Sequence, residues 1–215
     1  MRCTRLAASG RVEIRDFSVG PLATNAFLVT AGDVALAIDP GQGAAEVLTE
    51  AAERAGVTIE TVLNTHGHWD HVVDNAALLR KVKAGLLIHG NDAEMITTDT
   101  PETFGVDLPW EPSTPTGLLE EGSEVAVGDL RFVILHTPGH TPGGVCLWWQ
   151  EGGVLMAGDT LFAGTYGRVD LPGSDAGQMV ASLERLTKLP DATRVYPGHG
   201  PETTIGAERG WMELL

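Results

Sequence analysis

Four side chains of metal-binding type stand within six consecutive positions, His66-Gly67-His68-Trp69-Asp70-His71. In an extended segment, residues i and i+2 point to the same side, so His66 and His68 can grip one cation together. From Asp70 to about Val82 the pattern turns helical, so Asp70 and His71 sit at its start and aim elsewhere. Two ligand pairs pointing apart suit two adjacent metals better than one. Imidazole and carboxylate ligands suit zinc, iron or manganese alike.

Three further polar residues share one setting, a strand end that runs into a Gly/Pro turn. They are His140 in Thr137-Pro138-Gly139-His140-Thr141-Pro142-Gly143, Asp159 in Gly158-Asp159-Thr160, and His199 in Pro197-Gly198-His199-Gly200. Glycines beside a polar residue let the backbone turn sharply and present the side chain into a cleft. Alone, each is more often a turn residue; beside the first cluster, the three read as ligands. His89 and His136 also lie at strand ends, as hydrogen-bond partners of the ligands or as residues satisfied by backbone.

Short apolar runs and helix-period segments must position these groups. Phe27–Thr30, Val34–Ile38, Thr58–Asn64 and Leu86–His89 read as strands, and Glu124–Val127, Leu130–Leu135, Val145–Trp149, Val154–Ala157 and Arg194–Tyr196 continue the series. Gly43–Ala55 carries apolar residues at i, i+3, i+4 spacing and reads as an amphipathic helix closed by Gly56, and Asp175–Lys188 is a second. A helical turn is expected near Asp92–Ile96. The stretch 98–116, with four prolines and the aromatics Phe104 and Trp110, is the least regular. No repeat, low-complexity tract or linker divides the chain, so residues 1–215 read as a single α/β domain.

Composition sets the outer limits. The 215 residues carry 14 Lys+Arg against 29 Asp+Glu, a formal charge of −15. With 43% hydrophobic and 20% charged residues the chain is globular in type, which excludes intrinsic disorder. Its acidity argues against nucleic acid or an anionic membrane surface as a partner. Cys3 and Cys146 match no metal, redox or disulfide spacing and read as free thiols in a reducing compartment. The first residues have no apolar run behind their basic groups, and no stretch approaches the ~20 apolar residues that span a bilayer. A soluble, cytoplasmic protein is the expectation.

From about Asp16 to Arg209, the pattern His66-x-His68-x-Asp70-His71, then His140, Asp159 and His199, resembles the metallo-β-lactamase superfamily, with all seven ligand positions matched. The resemblance implies a four-layer αββα sandwich with a dinuclear site at the edge between two sheets. It implies that His66, His68 and His140 hold one metal, that Asp70, His71 and His199 hold the other, and that Asp159 bridges them. The implied cofactors are two divalent ions, zinc and/or iron, with manganese possible. Two such ions bring +4, and Asp70, Asp159 and a bridging hydroxide bring the centre to +1. A positive centre lowers the pKa of bound water from 15.7 toward ~7 and stabilises the oxyanion of hydroxide attack. Asp70 could orient that hydroxide, so Asp70 and Asp159 are the catalytic candidates. The two ions would also reduce the chain's −15 to about −11, leaving the cleft locally positive.

Within the superfamily, secreted β-lactamases carry an export signal and usually lack the bridging aspartate, and the nucleases carry inserted domains or basic surfaces. Ala157-Gly158-Asp159-Thr160-Leu161-Phe162-Ala163-Gly164, Gly167-Arg168-Val169-Asp170-Leu171-Pro172-Gly173 and the ending from Tyr196 to Glu208 are similar to short glyoxalase II-like proteins. This implies hydrolysis of a small-molecule thioester such as S-D-lactoylglutathione through a metal-bound hydroxide. Arg168 stands about where the family's basic residue holds the thiol's carboxylate; its other reading is an ion pair with Asp170 or another acid. Phe104, Trp110 and Tyr166 are candidates to line an acyl pocket, or simply pack. The chain departs from the resemblance at Val169, where Thr is common, and in the tail Gly210–Leu215. The 16 residues after His199 offer no counterpart of the helical domain that builds much of the glutathione pocket. Thioester chemistry is therefore better supported than the identity of the thiol. A mononuclear-iron persulfide dioxygenase, held through His66, His140 and Asp159 or a close variant, is the second class implied. A lactone or ester hydrolase is the third.

Overall fold

The computed structural model of the chain describes residues 2–6, 12–98 and 107–215. One sheet sets seven strands side by side in chain order: β1 (Arg2–Leu6), β2 (Val12–Val19), β3 (Thr24–Ala31), β4 (Val34–Ile38), β5 (Thr58–Leu63), β6 (Gly85–His89) and β7 (Gly117–Leu119). Its first four strands are joined as antiparallel neighbours, and β4 to β7 pair in parallel. A second sheet of six strands comprises β8 (Glu124–Val127), β9 (Leu130–His136), β10 (Val145–Trp149), β11 (Val154–Gly158), β12 (Arg194–Pro197) and β13 (Thr203–Thr204), in the order β13-β12-β11-β10-β9-β8.

Parallel neighbours cannot be joined by a hairpin and need a crossover segment, usually a helix. Between β4 and β5 runs α1 (Ala44–Ala55), and between β5 and β6 run α2 (Trp69–Val72) and α3 (Asn75–Lys81). The short α4 (Met95–Thr98) follows β6; α5 (Ala176–Leu186) links β11 to β12, which are also parallel, and α6 (Ile205–Met212) follows β13.

Successive side chains of a strand face opposite ways, so each central strand feeds two apolar layers. In β3, Phe27 and Val29 turn toward the other sheet and meet Phe132, Ile134 and Leu147, while Ala26 and Leu28 turn outward onto Leu48 and Ala52 of α1. In the second sheet, Val145 and Leu147 face inward, and Cys146, Leu155 and Val195 face Met179, Leu183 and Leu186 of α5. Three apolar layers between four structural layers make the αββα sandwich that the resemblance implies. Among the described residues no helix is long and apolar enough to cross a membrane.

Several elements differ from the sequence-based expectation. The single helix expected from Asp70 to Val82 is two, because Asp74 leaves the helix to accept hydrogen bonds from the Gly43 and Ala45 amides, 2.9 and 3.0 Å away at the start of α1. Strands β1, β2, β7 and β13 and helix α6 are additional; β7 and β13 are three and two residues long, too short to show a period. Trp110 is half-buried against the α1–α3 side of the first sheet, away from the cleft described below. Phe104 lies outside the described residues.

Candidate metal centre

Five strand ends converge at one edge of the sandwich. Asp39 follows β4, the His66–His71 segment follows β5, His140 follows β9, Asp159 follows β11 and His199 follows β12. In each case the strand's last pairing residue fixes where the next side chain starts, so the sheets act as the rigid mount and the turns as the aiming device. Two glycines make the close approach possible. A Cβ on Gly198 would stand 2.2 Å from Asp159 Oδ1 and 2.8 Å from His71 Cε1. One on Gly167 would stand 2.0 Å from the Asp159 carbonyl oxygen.

The structure brings all seven sequence-predicted ligands together. His66, His68 and His140 offer nitrogens within 4.8 Å of one another, and so do the ligand atoms of Asp70, His71 and His199. His68 Nδ1 lies 2.8 Å from His140 Nε2. In the other trio, Asp70 Oδ2 lies 3.3 Å from His71 Nε2 and 3.2 Å from His199 Nε2. Asp159 stands between them, with Oδ2 3.4 Å from His140 Nε2 and Oδ1 3.5 Å from His71 Nε2. Oδ2 also lies 3.6 Å from His199 Nε2, so this one carboxylate faces both trios.

Outer partners set which imidazole nitrogen faces inward. His140 Nδ1 donates to the Arg168 carbonyl at 2.8 Å and His199 Nδ1 donates to the Leu22 carbonyl at 3.1 Å. A carbonyl can only accept, so each ring carries its proton outside and turns Nε2 inward. His71 Nδ1 donates to Asp39 Oδ2 at 3.1 Å, the carboxylate–imidazole relay common behind metal ligands. Asp39 is fully buried in a left-handed backbone conformation, φ 51°, and also accepts from the Thr65 amide at 2.7 Å and hydroxyl at 2.6 Å. Its oxygens are occupied by these donors, which makes it an orienting group.

Asp92, also fully buried, ties two ligand loops together. It accepts from the Gly67 amide at 3.0 Å, the Thr141 hydroxyl at 2.7 Å and the Gly143 amide at 2.6 Å. Neither Asp39 nor Asp92 was singled out from sequence. Asp39 sits in an Asp-Pro-Gly run that reads as plain turn chemistry, and Asp92 at a helix start where Asp is ordinary.

The electrostatics of the two trios differ in sign. Burial, then the neighbouring His71, His140 and His68, holds the His66 imidazole well below its ordinary pKa. Burial likewise brings His68 down to about 3, with His140 and His71 adding to the effect. Burial also pulls His71 down, but Asp70, Asp159 and Asp39 outweigh it and raise the ring to about 10. For Asp70 the upward push of burial loses to His71 and to the hydrogen bonds with His199 and Thr24, so its carboxyl is held below the usual range.

The residues fit a pair of cations on two observations. His66 Nε2 and Asp159 Oδ1 are buried within the cluster without a hydrogen-bond partner, and buried polar atoms are seldom left so. The donor set, imidazole and carboxylate without thiolate, is the set expected for zinc, iron or manganese.

Above the cluster opens a cavity of about 530 Å³, floored by His68, Asp70, His140, Asp159 and His199. Arg168 and Tyr166 line it too. The exposed Arg168 guanidinium, however, is engaged by Asp170, with Nε–Oδ1 2.9 Å and Nη2–Oδ2 3.0 Å, so the ion-pair alternative is the arrangement observed. His89 and His136 do not reach the cluster. Their rings stack 4.1 Å apart, and His136 Nε2 donates to the Pro142 carbonyl, bracing the loop that carries His140. Cys146 is buried within β10 on the side packed against α5, its thiol pushed up to about 11 by burial, which leaves it inert as a nucleophile at neutral pH.

Comparison with known proteins agrees with this geometry. The chain is 35% identical over 178 residues to the hydroxyacylglutathione hydrolase GloC of Haemophilus influenzae, covering 80% of this chain and 82% of that one. It is 31% identical over 206 residues to the probable metallo-hydrolase YqgX of Bacillus subtilis, covering 94% and 96% of the two. The solved structure of TTHA1623 in a di-iron-bound form superposes with a TM-score of 0.82 at 38% identity, over 91% of this chain and 96% of that one. The family model of the metallo-beta-lactamase superfamily matches residues 19–199, which span all seven clustered ligands and the strand ends that carry them. With that match and this fold, the chain belongs to the metallo-β-lactamase superfamily.

Proposed function

We propose that the protein is a metal-dependent hydrolase that cleaves small-molecule thioesters. The observation that carries this reading is the pair of ligand trios with the Asp159 carboxylate between them, lying on the floor of an open cleft. His66, His68 and His140 would hold one cation and Asp70, His71 and His199 the other, with Asp159 shared. Such a pair, when bound, would acidify water toward a pKa of ~7 and stabilise negative charge developing on a carbonyl oxygen.

The chain's own residues supply the rest. Asp70, ionised and anchored by the Thr24 hydroxyl at 2.8 Å, is placed to accept a hydrogen bond from the attacking water and orient it. Asp39, Thr65 and the Arg168 and Leu22 carbonyls keep the imidazoles aimed, so little reorganisation is needed when substrate arrives. In the reaction, the water oxygen bonds to the acyl carbon, the C–S bond breaks, and the products are a carboxylate, a thiol and the proton of ionisation. Two relatives support hydrolysis, one named hydroxyacylglutathione hydrolase and one probable metallo-hydrolase, and the di-iron form of TTHA1623 supports a dinuclear site that accepts iron.

Metal analysis joined to product analysis tests the proposal. The expected result is two metals per chain and release of thiol from S-D-lactoylglutathione or another thioester. One iron per chain, with oxygen uptake on glutathione persulfide and no thiol release, would replace it with the dioxygenase. Cleavage of lactones but no thioester would move it to the ester-hydrolase class.

A further inference from the structure

We propose that the cleft takes a thioester one of whose arms is uncharged and apolar, aryl or branched alkyl, in preference to an arm ending in a carboxylate. The inference rests on the thioester reading above and concerns which thioester. Its starting point is the wall of the 530 Å³ cavity, where Leu22, Trp69, Phe162, Tyr166 and Leu171 surround the ligand floor. Arg168 is the only lysine or arginine among the described lining residues. Asp170 already holds its Nε and Nη2 in a two-point pair. A substrate carboxylate would have to share Arg168 with Asp170 or displace it, which reduces what that ion pair can add to binding.

The apolar wall is held in place on both sides. Leu22 is 53% exposed at the mouth of the cleft, and its position follows from the site: its carbonyl accepts the His199 proton, and the next residue, Ala23, is kept at φ 54°. A left-handed backbone at a non-glycine residue costs energy and persists only where its surroundings demand it. Opposite, Phe162 meets the His199 ring edge-on at 6.1 Å. Tyr166 stacks on Trp211 of α6, with centroids 6.1 Å apart. Buried Glu208 fastens the same loop, accepting from the Gly164 amide at 2.8 Å and the Trp211 indole at 2.6 Å. The tail that departs from the family resemblance thus buttresses the substrate wall. A preformed apolar pocket with few polar groups favours ligands by the area they remove from water.

Two matched thioester series test this. On the thiol N-acetylcysteamine, phenylacetyl is compared with adipoyl, which ends in a free carboxylate; as the thiol of an acetyl ester, benzyl mercaptan is compared with glutathione. The expected result is a kcat/KM advantage of about 10- to 100-fold for the aryl member of at least one series. Leu22→Ser should cut the aryl rate by about tenfold more than the rate of its partner. Asp170→Asn should free Arg168 and lower KM for the glutathione ester. In parallel, benzyl methyl thioether and S-methylglutathione, which cannot be hydrolysed, are titrated against tryptophan fluorescence, with tighter binding of the aryl compound expected. Equal or carboxylate-favouring values in both series, or equal thioether binding, would overturn the inference while leaving the hydrolase standing. If no thioester is cleaved, the hydrolase reading falls and the thioether titration alone decides the pocket's preference.

Discussion

The two trios of the cluster lie within a few ångströms of each other yet solve opposite electrostatic problems. In the trio of His66, His68 and His140, burial and the neighbouring imidazoles disfavour a proton on His66 and on His68. Asp70, His71 and His199 carry their own anions, and without metal His71 retains a proton that partly replaces the missing cation. The first trio is therefore ready to receive a cation as it stands, whereas the second must exchange a proton for one. Their difference follows from the backbone. The bend at His66 and the extended His68 bring both rings beside His140, and the start of α2 swings Asp70 and His71 toward Asp39 and Asp159.

The largest expected effect comes from erasing the link between the trios. Asp159→Ala should lower both metal contents and reduce kcat/KM by more than the roughly 100-fold that loss of an outer partner costs. His66→Ala and His199→Ala should instead lose mainly the metal of their own trio, read by metal content after dialysis. Equal loss of both metals from each single variant would show that the trios bind as one unit and break the comparison.

A smaller effect is expected one bond further out. Asp39→Asn retains shape but weakens the acceptor behind His71, and should lower metal affinity about 10- to 100-fold at the second trio with little change at the first. Competition with a chromophoric chelator measures both. An equal fall at both trios would mean that Asp39 acts through the Thr65 contacts on the whole loop.

A third expectation is a pH signature of the metal-free protein. His71 has a folded pKa near 10, above its unfolded value of 6.5, so its contribution is fully present below pH 6.5 and is lost as pH rises toward 10. His68 is depressed to about 3, so its contribution is present above pH 6.5 and is lost as pH falls toward 3. Denaturant unfolding of chelator-treated protein should therefore show stability declining on both sides of about pH 6.5. The alkaline limb should shrink but persist in Asp39→Asn, because Asp70 and Asp159 raise His71 more than Asp39 does.

Much of the centre was legible because its chemistry is concentrated. Four ligand types in six positions, and three more each flanked by glycine, are signals that survive without any knowledge of pairing. The long periodic elements were legible for the same reason: α1 and α5 keep an apolar stripe, and β3 to β6 and β8 to β12 are apolar runs between turn residues. Elements held by a partner were not. β7 exists as a strand because β6 lies beside it, and the break between α2 and α3 exists because Asp74 caps a helix 31 positions earlier, at Gly43.

The sequence by itself determined the donor set, its grouping into two pairs plus three turn residues, and an acidic α/β chain of apolar strands. Those properties are local: residue type, spacing of two or 3.6, and glycine beside a polar group. Only the tertiary structure decided that Asp39 and Asp92 stand behind the ligands and that Arg168 is already paired. It also decided that the tail returns to support Tyr166. These are contacts between segments far apart in the chain, and a side chain's role there depends on what the packed sheets bring within hydrogen-bond reach.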